Sequence, residues 1–305
     1  MKAIQFSQYG AADVLQIQDV DQPKIQAGQV LVQVKAFGIN PIDWKLRSGA
    51  MKAFIPLPLP FILGSELSGI VTEVANDVKH LKVGDKVYGR TQHAYAEYAL
   101  IDADNAQIIP EFLNFREAAS LPSGSQVAYS ALKTVGNIQN NQKVLIHAGA
   151  GGVGTAAIQI AKSFGAHVTT TVSTRNVELA KQLGADEVVD YSKTALTTLT
   201  KDFDLILDSI GGQTQIDSWD LLKSDGTLVS LVSDESAQFQ SAMQNRTFNF
   251  MRGVQKNSTN EVHQLIEAGK IKAVIDQVYD FQNVADAHVK SESGRLSGKL
   301  VVIIS

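Results

Sequence analysis

The sequence predicts an α/β protein in two parts, a mainly-β portion followed by a doubly wound parallel sheet. Two observations carry this. After about residue 115 short β-branched runs give way to alternating helices and strands, and "VLIHAGAGGVGTAAIQIAKSFGAHV" (144–168) reads as strand, glycine turn and helix. Length is the third: 305 residues exceed what one hydrophobic core usually fills, so two domains with a cleft between them are expected.

In chain order, "VLVQVKAFGI" (30–39), "GIVTEV" (69–74) and "AYAEYAL" (94–100) are rich in β-branched and aromatic residues between Gly, Pro and Asp breaks, and are expected as strands. The proline cluster "IPLPLPF" (55–61) forbids a helix and predicts an extended loop. Helical pattern begins at "REAASLPSGSQVAYSALK" (116–133). Strands are then expected at "KVLIH" (143–147), "HVTTTV" (167–172), "EVVD" (187–190), "FDLILD" (203–208) and "TLVSLV" (227–232), with helices between them. Val153, Ala157, Ile160 and Phe164 mark the buried face of the helix after the glycines, and Val177, Ala180 and Leu183 that of the next. The last fifty residues break the alternation with "EVHQLIEAGK", "VIDQVYDF", a helix around "NVADAHVK" and a strand "GKLVVII".

Hydrophobic residues make up 44% and charged residues 19%, the balance of a globular enzyme rather than a disordered or coiled-coil chain. Net charge is −4 with Lys and Arg scattered, so neither nucleic acid nor a membrane surface is expected as partner. The chain has no cysteine. That removes disulfides, thiolate nucleophiles, iron–sulfur clusters and Cys-containing zinc sites, and fits a cytoplasmic protein. "MKAIQFSQYG" has no secretory h-region, and no apolar run is long enough to span a membrane, so a soluble, untargeted chain is expected.

Gly149, Gly151 and Gly154 satisfy G-x-G-x-x-G directly after a strand and opening a helix. In that setting the glycines serve a tight turn, close backbone approach to a pyrophosphate and close helix-to-strand packing, and the helix N-terminus receives the phosphates. The cradle is Gly149, Ala150, Gly151, Gly152, Val153 and Gly154 of a Rossmann dinucleotide site. An NAD site would carry an acid at the end of the second strand. Here that place reads "TVSTRN": Ser173, Thr174 and Arg175 offer donors and a positive charge suited to a 2′-phosphate, and Tyr191 follows the third strand. NADPH is therefore the expected cofactor.

Taken together, "GINPIDWKLRSG" (38–49), "LGSELSGIVTEV" (63–74), "VGDKVYG" (83–89), "AYAEYA" (94–99), "HAGAGGVGTAAIQIAK" (147–162), "LGADEVVDY" (183–191), "LDSIGG" (207–212) and the tail with "SGKLVVI" resemble, in order and spacing, a medium-chain dehydrogenase/reductase. Within that superfamily the chain is similar to the zinc-independent quinone oxidoreductase and enone reductase branch. The resemblance implies a GroES-like mainly-β catalytic domain from residues 1–118 plus 260–305, with a Rossmann domain, 119–259, inserted into it. It also implies a homodimer joined through Rossmann sheet edges, with "RTFNFM" (246–251) the candidate strand. Zinc alcohol dehydrogenases place a cysteine ligand where this chain has Asn40 and Gly-His-Glu where it has Gly64, Ser65 and Glu66, so no metal is expected.

A nicotinamide cofactor can pass hydride to a carbonyl carbon or to the β-carbon of a conjugated enone or quinone. Carbonyl reduction concentrates charge on one oxygen and usually calls for a Lewis acid, whereas conjugate reduction spreads it into an enolate that hydrogen-bond donors can support. A quinone or α,β-unsaturated carbonyl is therefore the expected substrate. By resemblance, "NPIDWK" lies beside the nicotinamide: Asn40 would donate its amide to the substrate oxygen, Lys45 would stabilise the enolate or supply a proton, and Asp43 would orient its neighbours. Asn40 and Asp43 also read simply as turn formers around Pro41, and Lys45 as a solvated charge. Leu231 and Phe250 align with positions flanking the nicotinamide. The alternatives are a zinc-free carbonyl or enoyl-thioester reductase and a non-catalytic NADPH-binding sensor or scaffold.

Overall fold

The computed structural model describes residues 1–240, 245–254 and 258–304. The chain forms two compact units, Met1–Ser123 with Ala273–Ser305, and Gly124–Lys272. These seams lie past the expected 118/119 and 259/260. At the second seam the cause is visible: Gln159 donates to the Lys272 carbonyl and accepts from the Lys272 amide, which ties residues up to 272 to the inserted unit.

The first unit begins with β1 (Lys2–Phe6), β2 (Gln16–Asp19), β3 (Gln29–Ile39), α1 (Pro41–Ser48) and β4 (Phe61–Ile62). There follow β5 (Glu66–Val74), β6 (Lys86–Arg90), β7 (Tyr98–Asp102), β8 (Ala106–Ile108) and α2 (Phe115–Ser120). The strand expected at 94–100 is therefore shorter: Tyr95 is buried in the core, Ala96 makes a lone bridge to Ala3, and regular pairing starts at Tyr98. The proline segment is extended as expected; the Leu57 amide donates to the Tyr9 hydroxyl at 3.0 Å, and Phe54 stands out into solvent.

The second unit contains α3 (Pro122–Tyr129, which starts two residues before the seam), a π-helical turn over 130–135, β9 (Lys143–Ile146), α4 (Gly154–Ser163), β10 (His167–Val172), α5 (Val177–Gln182) and β11 (Glu187–Asp190). It continues with β12 (Phe203–Asp208), α6 (Gly212–Trp219), β13 (Leu222–Ser230), β14 (Thr247–Phe250) and α7 (Ser258–Glu267). The helical pattern expected to begin at 116–133 is made of α2, α3 and the π turn. All pairs of the six-stranded sheet are parallel, in order β11-β10-β9-β12-β13-β14. Numbered within the unit this is 3-2-1-4-5-6, the doubly wound order whose reversal point lies between β9 and β12. Val144, Leu145 and Ile146 are wholly buried, the continuous apolar run of a strand covered on both faces. α4 is buried nearly all round rather than on the expected stripe: Ala156, Ile158 and Gln159 are buried with Ala157 and Ile160, while Val153 and Phe164 are half-buried.

The chain then returns to the first unit with β15 (Ile275–Asp280), α8 (Val284–Glu292) and β16 (Lys299–Ile303). β16 lies antiparallel on β3, and the sheet runs β15-β16-β3-β5-β6-β8 with β7 on the far part of β3. This pairing puts Leu300 opposite Ile39, so Lys299 arrives beside Asn40 from the other end of the sequence.

Candidate functional site

In the second unit the turn after β9 is shaped by steric exclusion. A Cβ on Gly149 would stand 1.9 Å from Thr170 Oγ1, and one on Gly154 2.2 Å from the Ala148 carbonyl oxygen. Both glycines are required for helix-to-strand packing. Gly151 is less confined: the Ala148 oxygen, at a tight 3.3 Å, is the one atom among the described residues near its Cβ position. The left-handed residue of the turn is Ala148, at φ 52°, rather than a glycine. No side chain caps α4. Gly149, Ala150, Gly151, Gly152, Val153 and Gly154 thus leave a helix N-terminus without a side-chain cap behind a glycine turn, which fits a pyrophosphate.

At the end of β10, Ser173 is half-buried while Thr174 and Arg175 are exposed. "TVSTRN" itself holds no acid, but the next strand brings one beside it. Asp190, arriving from the end of β11, accepts a hydrogen bond from Thr174 Oγ1 at 2.7 Å and holds Lys193 at 3.3 Å. Hydrogen bonds from Ser192 and Thr174 hold the Asp190 carboxyl well below its usual range, so it is ionised. Thr174 is thereby committed, and the exposed Arg175 guanidinium is the free cation of the group among the described residues. Tyr191 is 63% exposed; Leu231 and Phe250 are half-buried, with the Arg252 guanidinium 5.1 Å from the Phe250 ring centre.

Beneath this end of the sheet lies a buried polar network. His147 is buried with Nδ1 3.1 Å from Thr171 Oγ1 and Nε2 2.8 Å from Ser218 Oγ. Burial pushes the ring down to about 4, against the opposing pull of Asp208. Asp208 accepts from the Ile210 and Gly211 amides, Gln215 Nε2 and Ser230 Oγ, all between 2.7 and 2.9 Å.

The first unit gathers charge instead. α1 starts cleanly because Asn40 is extended, Pro41 occupies the first helical position, and Asp43 Oδ2 accepts the Asn40 amide N–H at 2.8 Å; Gly49 at φ 84° ends it. Next to it, Lys299 Nζ donates to Glu66 Oε1 at 2.5 Å and to Asn40 Oδ1 at 2.6 Å. Asn40 Nδ2 in turn donates to Glu66 Oε1 at 2.8 Å and Ser65 Oγ at 3.1 Å, and the Ser123 amide closes on Glu66 Oε2 at 2.7 Å. Glu66 is wholly buried and Lys299 only 5% exposed. Gly38 makes room for this carboxylate, since a Cβ there would lie 2.3 Å from Glu66 Oε1.

This geometry revises the part expected of Asn40. Its amide N–H donors are spent on Glu66 and Ser65 inside the fold, so it is not a free donor for a substrate oxygen. Asp43 is buried and does orient Asn40. Lys45 is half-buried with its Nζ 5.7 Å from the Trp44 ring centre, and no carboxylate pairs with it among the described residues. Sequence reasoning missed Lys299 and Tyr95. Both stood in quoted motifs, "SGKLVVI" and "AYAEYA", and only their partners, 233 and 52 residues away, give them meaning.

Residues 26–139 match the alcohol dehydrogenase GroES-like domain, and 183–302 match the zinc-binding dehydrogenase family. The 2-methylene-furan-3-one reductase of Solanum lycopersicum is 36% identical over 318 residues, covering 99% of this chain and 79% of that protein. The quinone oxidoreductase of Coxiella burnetii superposes with a TM-score of 0.89 at 34% identity, over 100% of this chain and 99% of that one. The Escherichia coli quinone oxidoreductase, solved with NADPH, gives 0.89 at 29% identity over the whole of both chains. Zinc, which one family description names, does not suit the residues present. Asn40 and Ser65 stand where the cysteine and histidine ligands would be, and the Lys299 ammonium already supplies the positive charge against Glu66 and Asn40. With both halves matched by family models and its whole length by quinone oxidoreductases, the chain belongs to the medium-chain dehydrogenase/reductase superfamily, in the zinc-independent quinone oxidoreductase branch.

Proposed function

We propose that this chain is an NADPH-dependent oxidoreductase that reduces quinones or α,β-unsaturated carbonyls. The observation that carries the reading is the pair of a dinucleotide turn at the reversal point of a 3-2-1-4-5-6 sheet and a zinc position filled by Lys299, Glu66 and Asn40. The names of the relatives support it: one is a furanone reductase and two are quinone oxidoreductases, one of them NADPH-bound.

In this reading residues 149–154 receive the pyrophosphate on the N-terminus of α4 and Arg175 receives the 2′-phosphate, with Ser173 beside it. Tyr191 borders the adenosine end, and Leu231 and Phe250 border the nicotinamide. NADPH, when bound, supplies the hydride. Asn40 and Asp43 hold the loop at the start of α1, and Lys45, with its ammonium unpaired, is the candidate for supporting enolate charge. A homodimer is part of the proposal, supported by β14 being an edge strand of the six-stranded sheet. So is a cytoplasmic location, supported by a chain without cysteine.

The test is NADPH oxidation against benzoquinone, phenanthrenequinone, trans-2-hexenal, methyl vinyl ketone, crotonyl-CoA and hexanal, with and without EDTA. Turnover of quinones or enones that ignores EDTA, with hexanal inert, is the expected result. Tight NADPH binding without turnover of any of them overturns it in favour of a sensor.

A further inference from the structure

On α1, Asp43 and Arg47 lie one turn apart; on α8, His288, Ser291 and Glu292 share the face that meets them. Tyr95 stands between the helices, its ring stacked on Phe37 at 4.4 Å and its hydroxyl 2.9 Å from Asp43 Oδ2 and 3.1 Å from His288 Nε2. Arg47 Nη2 pairs with Glu292. All but Glu292 are buried, and four polar atoms among them have no hydrogen-bond partner among the described residues: His288 Nδ1, Arg47 Nε, Arg47 Nη1 and Ser291 Oγ.

Four orphaned polar atoms along one seam are more than a folded protein tolerates, because each costs about 1–3 kcal/mol unless water satisfies it. Both hydrogen-bond acceptors and donors are among them, as an enclosed water requires. The existing bonds also have a definite sense. An ionised Asp43 only accepts, so Tyr95 donates to it; Tyr95 then accepts from His288 Nε2–H, and His288 Nδ1 is left as a buried acceptor.

We propose that the α1/α8 seam holds an internal water, and that this water, His288 and Tyr95 form a proton path ending on Asp43. A proton from solvent reaches the water, and an O–H proton of the water moves to His288 Nδ1. The Nε2 proton moves to Tyr95 Oη, and the Tyr95 hydroxyl proton moves to Asp43 Oδ2. One N–H bond forms and one breaks on the ring, so His288 changes tautomer without acquiring charge, and the sense of every hydrogen bond reverses.

The electrostatics agree with this path. Burial pushes Asp43 up to about 6, against the lowering effects of its bonds from Asn40 and Tyr95 and of Lys299, with Glu66 adding to the rise. Burial, and then Arg47, push His288 down to about 3, so its ring stays neutral while Asp43 exchanges its proton. Arg47 is itself faced by Glu292, Asp13 and Tyr95.

The path can be tested on the full chain without any substrate, so its failure is separate from failure of the proposed activity. Nitrogen-15 NMR of histidine-labelled protein, with His288 assigned by difference against His288→Gln, is expected to show the Nε2–H tautomer at about pH 8 and the Nδ1–H tautomer at about pH 5. Tyr95→Phe should abolish the switch. A single tautomer throughout, or a doubly protonated ring, overturns the path whether or not the variant folds. A crystal structure should show water within about 3.2 Å of His288 Nδ1 and of Arg47 or Ser291. Ser291 or Arg47 bonded directly to Nδ1, with no water, overturns the site.

Discussion

Glu66 and Lys299 meet in the first unit as full charges out of reach of solvent, whereas His147 meets Thr171 and Ser218 in the second as a neutral ring between hydroxyls. The two regions bury polar atoms by different means, and they respond differently to damage. Removing one member of a buried ion pair leaves the other without its counter-charge, even where neutral hydrogen bonds remain, as those from Asn40 and Ser123 do on Glu66. A neutral network loses one modest hydrogen bond at a time. The glycine turn beside that network depends on neither, since what it needs is the absence of atoms.

The largest effect should come from splitting the ion pair. Lys299→Met is expected to cost about 3–5 kcal/mol in urea unfolding, because Glu66 is left uncompensated. Lys299→Met with Glu66→Gln should recover much of that loss; no recovery would mean that the pair does not act as a unit.

Next is acid. His147 titrates at about 4 when folded against 6.5 in an open chain, so its contribution to stability is whole above pH 6.5 and fades as pH falls toward 4. The span implies on the order of 3 kcal/mol, readable as a steeper acid slope of unfolding free energy than in a His147→Gln protein. Equal slopes would show that this ring protonates freely in the native state.

Within the glycine turn, Gly154→Ala should lower stability by about 1–3 kcal/mol, since its Cβ would press on the Ala148 carbonyl at 2.2 Å. Gly151→Ala should cost less stability than Gly154→Ala, its Cβ meeting the Ala148 oxygen at 3.3 Å rather than 2.2 Å, and weaken NADPH binding about tenfold or more. If the two variants fall together, turn geometry and phosphate access cannot be separated.

The smallest effect is at the rim. Arg175→Ala is expected to raise KM for NADPH by roughly tenfold while leaving KM for NADH unchanged, a loss of about 1–2 kcal/mol from one exposed cation. A parallel rise for both cofactors would remove Arg175 from 2′-phosphate recognition.

The sequence by itself determined the parallel sheet and the glycine turn, because hydrophobic period and the G-x-G-x-x-G spacing are local and each element is written in consecutive residues. It read Asn40 and Asp43 as turn formers around Pro41, and the structure makes them the cap that opens α1. It misjudged what Asn40 does with its amide and overlooked Asp190 beside Thr174, since both depend on partners from other strands. Only tertiary structure decided that Asn40, Glu66 and Lys299 form one buried group, and that Asp43, Tyr95 and His288 form one chain of hydrogen bonds. Antiparallel pairing of β16 on β3 brings the last residues of the chain to the fortieth, and no local pattern encodes which distant side chain will neutralise a buried charge.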